Sequence, residues 1–492
     1  MSLIPLLAPI TTTLIRVNAF AQREAVPCYL VGGLLRDQLL GRPLVYCNVD
    51  LAVPRGALIF ARALAAQVHG AFVPLDEAAG TARIVLIEDR VRVELDVSDF
   101  RGDTLEADLA RRDFTVNALA VALQDWLRNP HQPEPLIDPL NGRQALKRRA
   151  LTACFPDTFV EDPVRILRAF RFVAQLEFTL DPATTPLMAR AVAHLFRVSG
   201  ERIRDELIAI FDTDRAAAAI RALNELGALD VLIPELSASR GVEQGGFHHL
   251  DVLGHQLEAV AQADRFLADF AEFSTSLRQP LSRYCAEELV ERHSRKSLIK
   301  LAGLLHDVGK PANRQVHPDG EIWFIGHEET GAELTGPIVE RLRLSNREGE
   351  MVRQLVLYHL RPGFLSREAQ LTRRAIYRFF RDLDDNGPGC LLTWWADRMA
   401  TRGPKSRLDQ IDQQRARLEE LLNAYFFQAE EVVHPARLLG GNRLMEVLHL
   451  SPGPLIGELL GVIEEAQAEG RIRNVEEALA LARAHLDQRN TT

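Results

Sequence analysis

Hydrophobic and polar positions along this chain follow two periods, and the change between them falls near residue 150. Before it, apolar runs are short. Tyr29, Leu30 and Val31 stop at Gly32-Gly33, and an amphipathic stretch leads to a second apolar run that carries Asn48 and Asp50. Further on, Val91, Val93, Leu95 and Val97 alternate with Arg92, Glu94, Asp96 and Ser98. That is the pattern of a strand with one buried face, and residues 84–87 read as its neighbour. Beyond residue 151 apolar positions recur every three or four residues, with breaks expected near Pro234, Pro280, Pro362, Pro404 and Pro435. The expected architecture is an α/β head, a mixed sheet with helices, followed by a long all-α body. Its divisions are a head at 1–150, a helical neck at 151–235, a central helical domain at 236–425 and a helical tail at 426–492. In the tail, Gly440-Gly441, Pro452-Gly453-Pro454 and Gly470 mark helix breaks, and Asn474 is the expected cap of the last helix.

At 492 residues the chain exceeds a single hydrophobic core. Its composition, 47% hydrophobic and 25% charged, is that of a globular protein. A net charge of −9 means that any RNA contact must come from a local basic surface. The five cysteines (Cys28, Cys47, Cys154, Cys285, Cys390) are odd in number and follow no metal-site spacing, which implies a reducing, cytoplasmic setting. The opening MSLIPLLAPITTTLIRVNAF lacks a basic start and reads as a leading helix, not a signal peptide. No run reaches the roughly 18 apolar residues of a membrane span, so no membrane partner is expected.

The first chemistry lies between residues 29 and 53. Two glycines between strand and helix leave backbone N–H groups to meet an anion, and the helix start adds a positive dipole end. Asn48 and Asp50, two apart on a strand, share a face. A phosphate-binding turn opposite a metal-binding carboxylate is the layout of nucleotidyl transfer. Next, DLARRDFTVNALA (108–120) carries Arg111, Arg112, Asp113 and Asn117. An Arg suits a phosphate and an Asp a ribose hydroxyl; alone, the segment also reads as a helix start with solvated arginines. In FVEDPVRILRAFRF (159–172), Asp162 and Arg165 lie three apart, expected on one helix face. One acceptor and one donor fork there match the Watson–Crick edge of a base, or form an ordinary surface ion pair.

Taken in order, these segments resemble the class II tRNA nucleotidyltransferases and bacterial poly(A) polymerases, which open with Gly-Gly-x-x-Arg-Asp followed by Asp-x-Asp. Gly32, Gly33, Arg36, Asp37 and Asp50 fit, while Asn48 stands where the first Asp of the pair is usual. The resemblance implies a nucleotidyltransferase-type head with Asp50 and Asp96 as catalytic carboxylates. Asp50 holds Mg²⁺ in that reading, and Asn48 offers a neutral carbonyl oxygen. It implies that Gly32, Gly33, Arg36 and Asp37 bind the nucleotide, and that Arg111, Arg112, Asp113 and Asn117 contact its sugar and phosphates. Asp162 and Arg165 would pair with cytosine or adenine, with Glu161 orienting them. Ala145 and Thr152 depart from the usual Asp and Arg between motifs. SGERIRDELIAIF (199–211) and the tail also resemble family segments, the tail offering Arg443, Arg471 and Arg473 to a phosphate backbone or to packing alone.

A second set occupies the central helices: His255, the adjacent His306-Asp307, His327, His359 and Asp397. A His-Asp pair on an apolar helix is costly to bury unless it binds something, and nitrogen and oxygen donors from several helices suit a divalent cation. This set resembles the HD superfamily of metal-dependent phosphohydrolases. His255, His306, Asp307 and Asp397 match its core positions, and His327 and His359 match the histidines of a second metal. Lys310 is placed to touch a phosphate, while His248 or His249 reads as a core filler. The metal's identity is open.

The reading is an RNA 3′-end nucleotidyltransferase that adds C and/or A to tRNA from CTP and ATP, joined to an HD phosphohydrolase domain. The alternative is an HD phosphohydrolase whose impaired head only binds RNA or nucleotide. A non-catalytic RNA-binding factor is a third reading, opposed by the complete HD set. The motifs do not choose among CCA, CC-only, A-only and poly(A) addition, nor do they fix the HD substrate or the oligomeric state.

Overall fold

The computed structural model describes residues 7–43 and 47–490. The chain divides into two compact units between Val198 and Ser199, inside the stretch expected to form the neck. The leading helix is present as α1 (Leu7–Arg23), with Ile10, Leu14 and Val17 buried; the first six residues of that expectation lie outside the described residues.

The first unit is built on a six-stranded sheet. Its strands are β1 (Tyr29–Val31), β2 (Cys47–Val53), β3 (Ala71–Asp76), β4 (Thr81–Glu88), β5 (Val91–Asp99) and β6 (Ala120–Ala122), in the order β3-β4-β5-β2-β1-β6. All neighbours run antiparallel except β2 and β5. The two strands expected from the alternation form the β4–β5 hairpin. Its turn, Asp89-Arg90, takes positive φ at both positions (49° and 66°), the handedness that matches strand twist. On β5, Val93, Leu95 and Val97 are buried in the core, which leaves Glu94 and Asp96 in the other row. Neighbours across a sheet share a face, so the parallel register sets Asn48 beside Glu94 and Asp50 beside Asp96. From the other side, β4 sets Arg83 beside Asp96.

Helix α2 (Gly33–Leu39) follows β1, and α3 (Arg165–Leu176) lies late in the unit. Here one expectation fails: Asp162 and Arg165 do not share a helix face. The short helix Thr158–Glu161 ends with Asp162 in extended backbone (φ −143°, ψ 93°), and α3 starts afresh at Arg165. Pro163 is the cause, because its ring excludes helical backbone from the residue before it.

The second unit is helical around α4 (Val252–Leu267), α5 (Arg295–Leu305), α6 (His327–Arg341), α7 (Asn346–Tyr358) and α8 (Gly387–Ala400). Short ribbons modify the all-helical expectation: Ala150–Leu151 with Thr179–Leu180 in the first unit, Glu288–Val290 with His293–Ser294 and Gln315–Val316 with Ile322–Trp323 in the second. Pro280 does not break the chain but sits inside helix Thr275–Ala286. Buried Leu277 on one side and Leu281, Tyr284 and Cys285 on the other hold that helix across the lost hydrogen bond. The tail folds as three helices with a core of its own around Leu444, Leu459, Ile463 and Ala478. Asn474 caps the last of them, its Oδ1 accepting from the Glu477 N–H at 2.9 Å. Among the described residues no helix is long and apolar enough to cross a membrane.

Two polar nodes are buried among these helices. Lys300, with no exposed surface, reaches Asp264 at 2.7 Å and the Thr213 carbonyl at 2.5 Å. His293 lies 2.5 Å from Glu348, whose carboxylate also closes the capping box of α7 with Ser345, and 3.7 Å from Asp205. Burial lowers the His293 pKa, but Asp205 and Glu348 outweigh it and raise it to about 9. A histidine raised in the folded state contributes stability in full below its unfolded value of about 6.5 and loses it as pH rises through the folded value. The stability of this unit should therefore fall by on the order of 1–2 kcal/mol, discounted for the exposed Asp205, as pH rises from about 6.5 to about 9, and the thermal midpoint should fall with it. His293→Gln should flatten that stretch; a variant with the same slope as the parent would refute the assignment.

Candidate functional site

In the first unit the turn after β1 and the row on β2 and β5 meet. Gly32 has φ 76° and ψ −138°, and a Cβ there would come within 2.6 Å of Asp50 Oδ2. Only glycine permits both the backbone and that approach. Asp50 accepts a hydrogen bond from the Gly33 N–H. Burial raises the Asp50 pKa and Asp96 adds to the rise, against Arg112 and Arg168, which lower it.

Arg36, Asp37, Asn117 and Asp113 form a hydrogen-bonded chain. Arg36, largely buried, donates from Nε and Nη2 to the two Asp37 oxygens at 2.9 Å each, and from Nη1 to Asn117 Oδ1 at 2.9 Å. Asn117 donates in turn to Asp113 Oδ1 at 3.1 Å, and Arg168 reaches Asp113 Oδ2 at 3.4 Å. Burial raises the Asp113 pKa, but Arg168 and Asn117 outweigh it and hold the carboxyl below its usual range. Arg112 is tied to buried Asp108 at 3.0 Å, whereas Arg111 is exposed, 3.8 Å from Glu161. Arg165 Nε lies 3.8 Å from Asp162 Oδ2, and its Nη1 donates to the Thr158 carbonyl at 3.3 Å. Arg83, Glu94, Asp108 and Arg168 stand among these residues and were not among the site candidates of the sequence. The polar row of β5 pointed to Glu94, and nothing in the sequence pointed to Arg83.

In the second unit five helix segments deliver the other set. His255 lies in the first turn of α4, His306 and Asp307 just past α5, His327 at the start of α6, His359 just past α7, and Asp397 late in α8. The Nδ1–H groups of His306, His327 and His359 donate to the carbonyls of Gly303, Phe324 and Val356 at 2.8, 2.7 and 2.6 Å. Each bond turns Nε2 inward as an acceptor. Asp307 is the hub: Oδ2 lies 3.1 Å from His306 Nε2 and 3.6 Å from His255 Nε2, while Oδ1 lies 3.3 Å from His327 Nε2 and 3.7 Å from His359 Nε2. Asp397 Oδ1 lies 2.9 Å from His255 Nε2. His255, His306 and Asp307 form one triad and Asp307, His327 and His359 another, with ligand atoms within 4.8 Å of one another. Donors around one cation sit roughly 3.0–3.4 Å apart when each bond is near 2.1 Å, so the set fits a divalent cation at either triad.

The charges agree. Burial raises Asp307 and Asp397, but His306, with Lys310 at the first and His255 at the second, holds both well below the usual carboxylate range. Burial lowers His306, yet the two carboxylates raise it to about 10, while burial, with His306 and His327 beside it, drives His359 down to about 3. The two carboxylates thus draw positive charge into the cluster, which a bound cation would supply. Lys310 donates to Asp307 Oδ2 at 2.6 Å and to Gln244 Oε1 at 2.7 Å, so it buttresses the hub. His248, read as a filler, packs its ring 4.5 Å from that of His255, and its Nδ1 is buried without a partner. Asp397 also lines a cavity of about 360 Å³ with Phe247, Phe364, Trp394, Arg398 and Gln414, a size suited to a small ligand.

Known proteins resemble this chain along most of its length. Residues 28–152 match the poly A polymerase head domain, 177–239 a probable RNA and SrmB-binding site of polymerase A, 281–385 the HD domain and 400–482 a putative tRNA nucleotidyltransferase domain 2. The HD match holds His306, Asp307, His327 and His359; His255 and Asp397 join them through the fold. An A-adding tRNA nucleotidyltransferase of Deinococcus radiodurans is 38% identical over 94% of this chain and 97% of its own length. A CC-adding tRNA nucleotidyltransferase of Thermus thermophilus is 33% identical over 94% and 93%. Among solved structures, a CCA-adding enzyme in complex with ATP superposes with a TM-score of 0.61 at 21% identity, covering 96% of this chain and 95% of that one. The fold, the order of segments and the near full-length relatives agree: this chain belongs to the tRNA nucleotidyltransferase and poly(A) polymerase family and carries an HD domain.

Proposed function

We propose that this chain adds the terminal A to tRNA ends from ATP. The observation that carries the reading is the parallel β2–β5 register, which brings Asp50 and Asp96 side by side against the Gly32-Gly33 turn. The 38% identity to an A-adding relative over 97% of that protein supports A over C. In the reaction the RNA 3′-hydroxyl attacks the α-phosphate, and pyrophosphate leaves. Mg²⁺, when bound, supplies charge that steadies the phosphoryl oxygens; Asp50 with Asp96 would hold it. Arg112 and Arg168, close enough to influence Asp50, are the fixed cations for the triphosphate. Arg36 supports this arrangement through Asn117 and Asp113. Asp162 and Arg165, set on either side of the Pro163 bend, would read the base, and the neck at 151–235 would carry the RNA.

The test uses tRNA transcripts ending before CCA, after C and after CC, with labelled ATP or CTP and Mg²⁺. Incorporation of A onto the CC end is expected, with a loss of about 100-fold or more in Asp50→Ala. Incorporation of C instead would assign the chain to CC addition. No incorporation from any end by folded protein would defeat the transferase reading.

A second activity is favoured by Asp307, shared between two histidine triads. Asp307, His255, His306 and Asp397 would hold a divalent cation that lowers the pKa of a bound water for attack on a phosphate ester. Purified chain should contain divalent metal and hydrolyse bis(p-nitrophenyl) phosphate or p-nitrophenyl phosphate. Asp307→Ala should abolish both while A incorporation persists. Equal hydrolysis by the variant would remove the assignment.

A further inference from the structure

The carboxylates of the head already have counter-charges, and the chief one comes from a residue outside every motif. Arg83 donates from Nε and Nη2 to the two Asp96 oxygens at 2.7 and 2.8 Å, and its Nη1 lies 3.1 Å from Glu94 Oε2. Arg92 takes the other Glu94 oxygen at 2.7 Å. Asp50, Glu94 and Asp96 thus share one face of β2 and β5 with two guanidiniums bound among them, before Arg112 near Asp50 is counted. Asn48 contributes a buried carbonyl oxygen with no partner and no charge. Among the described residues, the head has no group of three carboxylate or histidine donors comparable to the HD triads.

Mg²⁺ is bound by one or two carboxylates together with substrate phosphates and gives up its waters reluctantly. A cation approaching Asp96 competes with a guanidinium that engages both oxygens in the strong bidentate geometry. Asp50 is then the carboxylate of the row that accepts from a backbone N–H and has Arg112 nearby, where Asp96 has a bidentate guanidinium. One carboxylate and one amide oxygen do not retain a hydrated divalent cation well.

We propose that Arg83 is a built-in counter-ion that keeps the head from holding a divalent cation by itself, so that cation binding waits for the triphosphate. This rests on reading the head as the transfer site. The triphosphate brings the negative charge that Asn48 lacks, and Asn48 Oδ1 gains in that state the partner it has no other source of. Arg83 is a positioning residue: it acts through Asp96.

The test is a nucleotide-free Mn²⁺ titration of the full chain, followed by the loss of the free Mn²⁺ electron paramagnetic resonance signal. The parent and Asp50→Asn should bind equally, because the HD cluster takes up all the bound ion. Asn48→Asp and Arg83→Met should each gain a site at least about tenfold tighter than any head binding in the parent. Adding Asp50→Asn to either should remove the new site. Arg83→Lys, which keeps the charge but not the fork, should fall between parent and Arg83→Met. A nucleotide-free site in the parent that Asp50→Asn abolishes would overturn the proposal, as would Asn48→Asp that folds but gains no site. Incorporation assays run in parallel separate the two failures. Absent incorporation removes the transfer reading, whereas incorporation together with a resident, Asp50-dependent Mn²⁺ removes only the role of Arg83.

Discussion

A carboxylate taken out of water must be matched by positive charge or surrender its own, and that cost organises both candidate sites. In the head the matching comes from the sheet itself. Arg83 and Arg92 lie close enough in the strand rows to bind Asp96 and Glu94 directly. In the helical unit two carboxylates, the buried Asp307 and the partly buried Asp397, face one lysine, Lys310, and a group of histidines. The two carboxylates raise the His306 pKa, and a divalent cation can meet the same deficit. The same constraint is closed in one unit and left open to a ligand in the other.

Backbone geometry decides where those charges can stand. In the head, a parallel pairing is what makes Asp50 and Asp96 neighbours, since slipping the register by one residue would turn one of them to the opposite face. Gly32 then removes the one Cβ that would collide with Asp50. In the helical unit, His306 and His359 stand at helix C-termini, where the last carbonyls have no partner within the helix. The Gly303 and Val356 carbonyls accept from their Nδ1–H groups, so the unsatisfied ends of α5 and α7 orient the ligands. The helix ends thereby serve the site at no loss of internal hydrogen bonding.

Much of this was legible in the sequence where short-range pattern and chemistry coincide. The alternation of residues 91–97 located β5 and its polar row, and the adjacency of His306 and Asp307 in an apolar helix announced a buried site. Partners set by long-range pairing were not legible. Arg83 precedes the apolar run at 84–87, and only the hairpin register places it against Asp96. Glu94 and Asp96 looked alike as exposed alternates, yet Glu94 is buried because two arginines hold it. Asp162 and Arg165 were misread for a local reason that the sequence did contain: Pro163 between them forbids the shared helix. Lys310, expected at a phosphate, donates to Asp307, a contact set by the fold that its place in the motif did not reveal.

Asn48 brings these threads together. A carboxylate at that position would stand beside Glu94 in the adjacent strand, and like charges directly opposite one another destabilise a sheet. With Glu94 buried and already holding two arginines, the neutral amide adds no further like charge to the row. Yet Asn48 is not merely a relief of repulsion, because its Oδ1 is buried without a partner, a cost of about 1–3 kcal/mol. An apolar side chain would relieve the repulsion and avoid that cost. The amide oxygen is therefore best understood together with Asp50, two residues along the same face, as half of a pair of protein oxygens whose partner arrives from outside the chain.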